Sequence, residues 1–526
     1  MQQNLKEPSL PLWFIMATTM ICGAMVMVVE VLGSRVIGPF FGVSLFVWSS
    51  LISVAMISLA IGYYGGGIFC DKNRSPKYLY LIILAAGILV LLIPVVRGPV
   101  IKLCLPLGLR LGTFVCSLIL FAPSLVLLGA VSPFVVRLAA LEMGKLGRTV
   151  GGFYAISTMG SVAGTLLTGF VLILYLGVTK IFVLVGFVLI ALAVFYFVYI
   201  GRKYLCLLLL VVPVIGYQFT GNTLRAVPLA GGTVAQVVEN LDGHYGNIKI
   251  VEYKNAQRGI REMLVDGCVQ TGIDLRTGQS VYPYPYLLSI IPFNMNPSGK
   301  RALVIGLGGG VIPAWYEAQG VKTDVVDIDP HVVRFARDYF NFNSSGTVNI
   351  EDARTYLAQT REMYDFIVID VFTSDAAPAH IVSTEALALV RQRLNAGGIL
   401  ALNFIGRSGG DDFVAKSLFK TLKVHFANVE VYPCFDPSQP GIGNQEIICY
   451  NQPREHLHAN PLAAFAVHPS AKTMVAKAYA WKHAAVMADT GIVLTDEYNP
   501  FDCYDAATAR FVRNWILQDT PFEILL

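Results

Sequence analysis

Charged residues are scarce in this chain: Asp, Glu, Lys and Arg together make up 14% of it, against 55% hydrophobic residues and a mean hydropathy of +0.59. That balance excludes an ordinary soluble enzyme over the whole length. Cysteine is sparse and unpatterned. The nine cysteines form no CxxC and no Cys/His cluster, which excludes a disulfide framework and a zinc site, so no metal is expected. No internal repeat marks two transporter halves. No cleavable signal peptide is expected either, since the first apolar run leads straight into further ones.

What charge there is lies unevenly. Residues 1–220 hold 14 basic and 4 acidic residues, and the remainder 25 basic and 31 acidic. The formal net charge of +4 therefore averages a basic apolar part and a mildly acidic polar part, and no nucleic-acid partner is expected. Apolar segments recur at 11–33, 44–70, 78–96, 112–136, 150–175, 180–200 and 204–219. Most reach the ~20 residues needed to cross a ~30 Å hydrocarbon core, so residues 1–220 are expected to be a helical domain of about seven spans in a lipid bilayer. The last segment is marginal. Basic loops at 71–77 and 201–203 argue for a cytoplasmic N-terminus. Seven spans would then leave the second half outside the cytoplasm. The chemistry below favours a cytoplasmic second half on the inner membrane. Glu30 and Arg35 are ionisable groups in or just beyond the first span, a functional pair or a structural one. Glycines at 62, 65, 66, 67, 151, 152, 160 and 164 suit close helix packing.

Residues 221–295 are expected to form a small β-rich lead-in, with strands at 233–239, 246–253 and 261–265 and a turn at Asp266-Gly267. Tyrosines follow at 282, 284 and 286, to line a pocket or to pack. Residues 296–526 are organised around RALVIGLGGGVIPAWYEAQGVKTDVVDIDP (301–330). An apolar strand breaks into Gly306, Gly308, Gly309 and Gly310, a helix follows, and a second strand ends at Asp327. This order is the nucleotide-binding half of a doubly wound α/β sheet of Rossmann type. A third strand ends at Glu351-Asp352-Ala353, where an acid can meet the exocyclic amine of an adenine, and a fourth, YDFIVIDV (364–371), delivers Asp370. Ligands bind outside the carboxyl ends of such strands, so Asp327, Asp352 and Asp370 are expected to converge on one crevice. The loop TSDAAPAH (373–380) brings Asp375 and His380 nearby. Further strands are expected at 399–404, 429–433 and 446–450, and a helix at 471–487.

LVDGCVQ (264–270), VIGLGGG (304–310), VDIDP (326–330), EDA (351–353), YDFIVIDVFTSDAAPAH (364–380) and VLTDEYNP (493–500) together resemble the spermidine synthase (polyamine aminopropyltransferase) family. EVLGSRVIGPFFG (30–42) is similar to the first span of its membrane-fused bacterial members. The resemblance covers roughly 230–510. It implies a methyltransferase-type Rossmann fold that takes S-adenosylmethionine or its decarboxylated form as co-substrate. Asp327 would bind the ribose, Asp352 with Ala353 the adenine, and Asp370 would deprotonate the attacking amine, a putrescine-like small molecule. Gly306, Gly308, Gly309 and Gly310 would border the donor. Tyr245, Gln270, Tyr286, Asp375 and His380 are candidate substrate contacts. A homo-oligomer is also implied.

The sequence departs from the family at several points. An acid that contacts the donor amine is replaced by Gly309, and a glutamine by Gly246. A Tyr-x-Glu-x-x-x-His helix has no match in 282–293, and the paired loop acids are five apart rather than three. Aminopropyl transfer with release of methylthioadenosine is the expected reaction. Cleavage of S-adenosylmethionine to methylthioadenosine and homoserine lactone is the second reading, and methyl transfer the third. From another class comes a nucleotide-regulated transporter or sensor.

Overall fold

A computed structural model describes residues 10–526 except 43–44, 144–145, 221–225, 372–378, 409–411, 440, 453–457, 459–463, 486–490 and 501–505. The chain divides into two compact units, essentially residues 1–223 and 224–525.

The first unit is helical: α1 (Leu12–Phe41), α2 (Leu45–Lys72), α3 (Pro76–Cys104), α4 (Gly108–Met143), α5 (Leu146–Leu167), α6 (Val178–Tyr199) and α7 (Val211–Thr220). Among the described residues, five apolar helical stretches are long enough to cross a membrane. One of them, Pro76–Ala139, is two helices. It breaks at the 3₁₀ turn Leu105–Leu107, which ends on Gly108 at φ +77°, where a side chain would be strained. Six long helices thus stand where seven spans are expected. The segment at 204–219 folds instead as a 3₁₀ turn (Tyr204–Leu210) and the ten-residue α7, about half the length a span needs. Glu30 and Arg35 both fall within α1. Close packing accounts for part of the glycine pattern: a Cβ at Gly160 would meet the Met20 carbonyl of α1 at 2.1 Å.

In the second unit, five strands run in chain order across one sheet: β1 (Ala226–Pro228), β2 (Val234–Asp242), β3 (Asn247–Lys254), β4 (Gly259–Val265) and β5 (Cys268–Asp274). Asp266 and Gly267 form the two-residue β4–β5 turn, both at positive φ, as tight hairpins require. Strand β5 is absent from the sequence expectation.

The larger sheet contains β6 (Arg301–Ile305), β7 (Lys322–Asp327), β8 (Val348–Ile350), β9 (Tyr364–Ile369), β10 (Leu394–Ser408), β11 (Asn428–Pro433), β12 (Gly441–Tyr450) and β13 (His483–Ala484). Their order is β13-β11-β12-β10-β9-β6-β7-β8. Strands β10, β9, β6, β7 and β8 run parallel to one another, whereas β12 is antiparallel to β10 and β11. The central parallel strands β6 and β9 are apolar on both faces because both are covered. Leu303, Ile305, Ile367 and Ile369 pack beneath α11 (Ala353–Gln359), α12 (Thr384–Arg393) and α13 (Phe413–His425). Ala302, Val304, Phe366 and Val368 pack beneath α8 (Tyr284–Met295), α9 (Val311–Ala318) and α14 (Pro469–Ala480). Helix α10 (Pro330–Phe340) follows β7, and α15 (Ala506–Asp519) lies beyond the last strand. The sheet order reverses between β6 and β9, and the carboxyl edge at such a reversal opens a crevice. This is the doubly wound Rossmann-type fold expected.

Candidate active site

The turn after β6 is shaped by what lies next to it. At Gly306, φ is +86° and a Cβ would fall 2.1 Å from the Asp370 carbonyl, so any side chain there would drive β6 and β9 apart. At Gly309, a Cβ would fall 2.7 Å from Thr271 Cγ2 and 2.8 Å from Phe340 Cδ1. The Gly309 N–H donates to Thr271 Oγ1 at 2.8 Å. The notch where the family keeps an acid is therefore filled by β5 and α10.

Asp327 ends β7 and accepts from the Leu307 N–H at 2.8 Å and the Asp329 N–H at 2.9 Å. It thereby ties the glycine turn to the neighbouring strand. Burial pushes its carboxyl up to about 6, against the pull of those two N–H groups. Asp352 caps α11 by accepting from the Thr355 N–H at 2.9 Å, and its other oxygen lies 3.2 Å from His380 Nε2. Burial raises the Asp352 carboxyl, but Thr355 and His380 outweigh it and hold the group below the ordinary range.

Asp370 follows β9 at the sheet reversal. Asn403 of β10 donates to it at 2.8 Å, and Asn444 of β12 donates in turn to Asn403 at 2.9 Å. Three neighbouring strands thus fix one carboxylate. Asp370 keeps an open face to a cavity while protein surrounds its other sides. Burial pushes it up to about 6, with Asn403 acting in the opposite direction.

That cavity holds about 300 Å³ and is bordered by Gly308, Asp370, Asn403 and Asn444, with Gln270, Tyr282 and Tyr284 along one side. The Tyr284 hydroxyl donates to the Gln270 carbonyl at 2.8 Å. Phe435 and, from α15, Phe511 and Trp515 line it as well. Under it lies Glu446, fully buried and opposite Asn403 in the β10–β12 register. Its Oε2 has no hydrogen-bond partner. Burial, and then the charge of Asp370, raises its carboxyl well above the ordinary range.

The expected residues separate accordingly. Gly308, Gln270 and Asp370 line the cavity. Asp327, Asp352 and Ala353 stand at the carboxyl ends of β7 and β8, outside its lining. Three other expected substrate contacts stand outside that lining. Tyr286 is 4% exposed and packs in the core, its hydroxyl donating to the Ser280 carbonyl; the helical turn at the start of α8 points Tyr284, not Tyr286, at the cavity. Tyr245 is exposed and outside the lining. His380 is turned to Asp352. Asp375 lies outside the described residues. Sequence reading missed Asn403, Asn444, Glu446, Phe511 and Trp515. Only Asn403, a lone polar residue in ILALNFIG at a strand's carboxyl end, carried a local signal.

Residues 283–454 match the model of the spermine/spermidine synthase domain. A polyamine aminopropyltransferase of Vibrio vulnificus is 28% identical over 239 residues, which cover 41% of this chain and 74% of that protein. An N-terminal histidine N-methyltransferase of Emericella nidulans is 38% identical over 114 residues, 21% of this chain; the chain spans only 20% of that relative's length. Among solved structures, a probable spermidine synthase from Corynebacterium glutamicum aligns over 43% of this chain and 85% of its own, with 18% identity and a TM-score of 0.38. These relatives lend no support to the lyase reading. Residues 283–454 are thus similar to a spermine/spermidine synthase domain, and they follow an N-terminal helical part.

Proposed function

We propose that the second unit transfers an aminopropyl group from decarboxylated S-adenosylmethionine to an amine and releases methylthioadenosine. The observation that carries this reading is Asp370, fixed by Asn403 and Asn444 on the floor of an aromatic-lined cavity beside the glycine turn. An ammonium has no lone pair with which to attack. Asp370 accepts its proton, the freed nitrogen forms a bond to the carbon next to the sulfonium, and the C–S bond breaks with its electrons on sulfur. The thioether is a good leaving group, so catalysis is mainly alignment and desolvation. Asp327 and the backbone at Asp352-Ala353 are the groups for the adenosine end, at the carboxyl edge of β7 and β8.

The even number of long helices supports a location. With a cytoplasmic N-terminus, six spans return the chain to the cytoplasm. The basic loops at 71–77 and 201–203 and Arg148 then all fall on that side, as positive charge prefers. The second unit thus works in the cytoplasm, tethered to the membrane.

The test is mass spectrometry of products from the purified full chain, given decarboxylated S-adenosylmethionine with an amine. Methylthioadenosine plus an aminopropylated amine supports transfer. S-adenosylhomocysteine formed from intact S-adenosylmethionine would replace this reading with methyl transfer, the activity for which the fungal relative is named.

A further inference from the structure

The far wall of the cavity comes from α15, beyond residues 283–454. Phe511 and Trp515 stand one helical turn apart, so both project from one face. They keep 43% and 41% of their surface exposed while lining the cavity. The helix is held by its other residues. Val512, Arg513 and Ile516 are buried, and Arg513 Nη1 donates to the Asp266 carbonyl at 3.0 Å. Anchored so, α15 presents two aromatic rings to a cavity that already has Tyr282, Tyr284 and Phe435 on its other sides.

The charges are as one-sided as the rings. Among the described residues, Asp370 is the one carboxylate in the lining. Glu446 lies beneath it, outside the lining, its carboxyl raised by burial. One ammonium is accommodated by Asp370 and by the negative faces of the rings. A second ammonium on the same molecule would lose its hydration with no carboxylate of the described lining to compensate.

We propose that the acceptor is a primary amine with an apolar or aromatic body, not a diamine, and that Phe511 and Trp515 select it. The proposal rests on the aminopropyl-transfer reading for its reaction but not for its pocket. Covering the exposed part of one ring with ligand carbon removes on the order of 50–100 Å² from water, enough for about tenfold in affinity.

The experiment compares initial rates of methylthioadenosine release by the full chain with 1,4-diaminobutane, n-pentylamine and phenethylamine, at fixed decarboxylated S-adenosylmethionine. The proposal expects kcat/KM for the two monoamines to exceed that for the diamine by about tenfold. It also expects Trp515→Ala and Phe511→Ala to raise KM for phenethylamine by about tenfold each. A diamine preferred over both monoamines overturns it, as does a diamine preference that disappears in Asp375→Asn. Should no amine yield methylthioadenosine, the transfer reading fails by itself. The pocket is then decided by titrating the same amines into the full chain with methylthioadenosine present. Tighter phenethylamine than diaminobutane upholds the proposal, and equal or weaker binding overturns it.

Discussion

Asp370 just beyond β9, Asn403 on β10 and Glu446 on β12 face the same side of the sheet, and their fates differ through their surroundings. Asp370 must be ionised to accept a proton, so kcat/KM is expected to fall as pH drops through about 6. The Asn403 hydrogen bond favours the charged form. Asn403→Leu should therefore shift that acid limb toward neutral pH and lower kcat/KM at pH 7 by roughly tenfold, read from a pH–rate profile; an unmoved limb would assign Asn403 a packing role only. Glu446 behaves in the opposite sense to a paired carboxylate. Its carboxyl is raised in the folded state, so its contribution to stability is complete below the ordinary glutamate value and is lost as pH rises from there. Glu446→Gln escapes that loss. Its melting temperature should exceed the wild type's by roughly 2–4 °C at pH 8 and by less at pH 5; an equal difference at both would contradict burial of a neutral acid. Asp370 was legible in the sequence because an acid after an apolar strand is a local signal. Glu446 was not, because QEIICY reads as strand, and what lies across the sheet depends on pairing that no local pattern encodes.

At the scale of elements, the glycine turn and the strands around it follow from local sequence, and the departure from the family acquires a cause. Thr271 on β5 and Phe340 on α10 occupy the space a side chain at position 309 would need. Gly309→Asp, which reinstates the family's acid, should destabilise the second unit by about 1–3 kcal/mol through overpacking, measured by thermal unfolding; unchanged stability would mean that the notch can open. Strands β6 and β9 were readable because buried parallel strands are continuous apolar runs ending in polar residues. Strand β5 and helix α15 were not. The residues of β5 gave a motif rather than a pattern, and α15 is separated from β9, which it faces across the cavity, by more than 130 residues. Tyrosines 282, 284 and 286 show the same limit: their spacing allowed lining or packing, and the entry into α8 divides them between the two.

At the scale of the molecule, composition suggests an apolar basic part and a polar acidic one divided near residue 220, and the chain clusters into two compact units that meet near residue 223. The span count was less legible because 204–219 is apolar enough but folds short. Under the proposed location, six crossings would suit both the basic loops and a cytoplasmic second unit. A fluorescent reporter fused after Leu526 that matures only in the cytoplasm should therefore be bright, and one active only outside should be silent; the reverse would mean that α7 or a further segment crosses. The central claim concerns chemistry at Asp370, and one measurement addresses it most directly: product analysis by mass spectrometry on wild type and Asp370→Asn, each given decarboxylated S-adenosylmethionine and phenethylamine. The account predicts methylthioadenosine and N-aminopropyl-phenethylamine from the wild type and a loss of about 10²–10⁴-fold in the variant. Equal turnover by both proteins would contradict it.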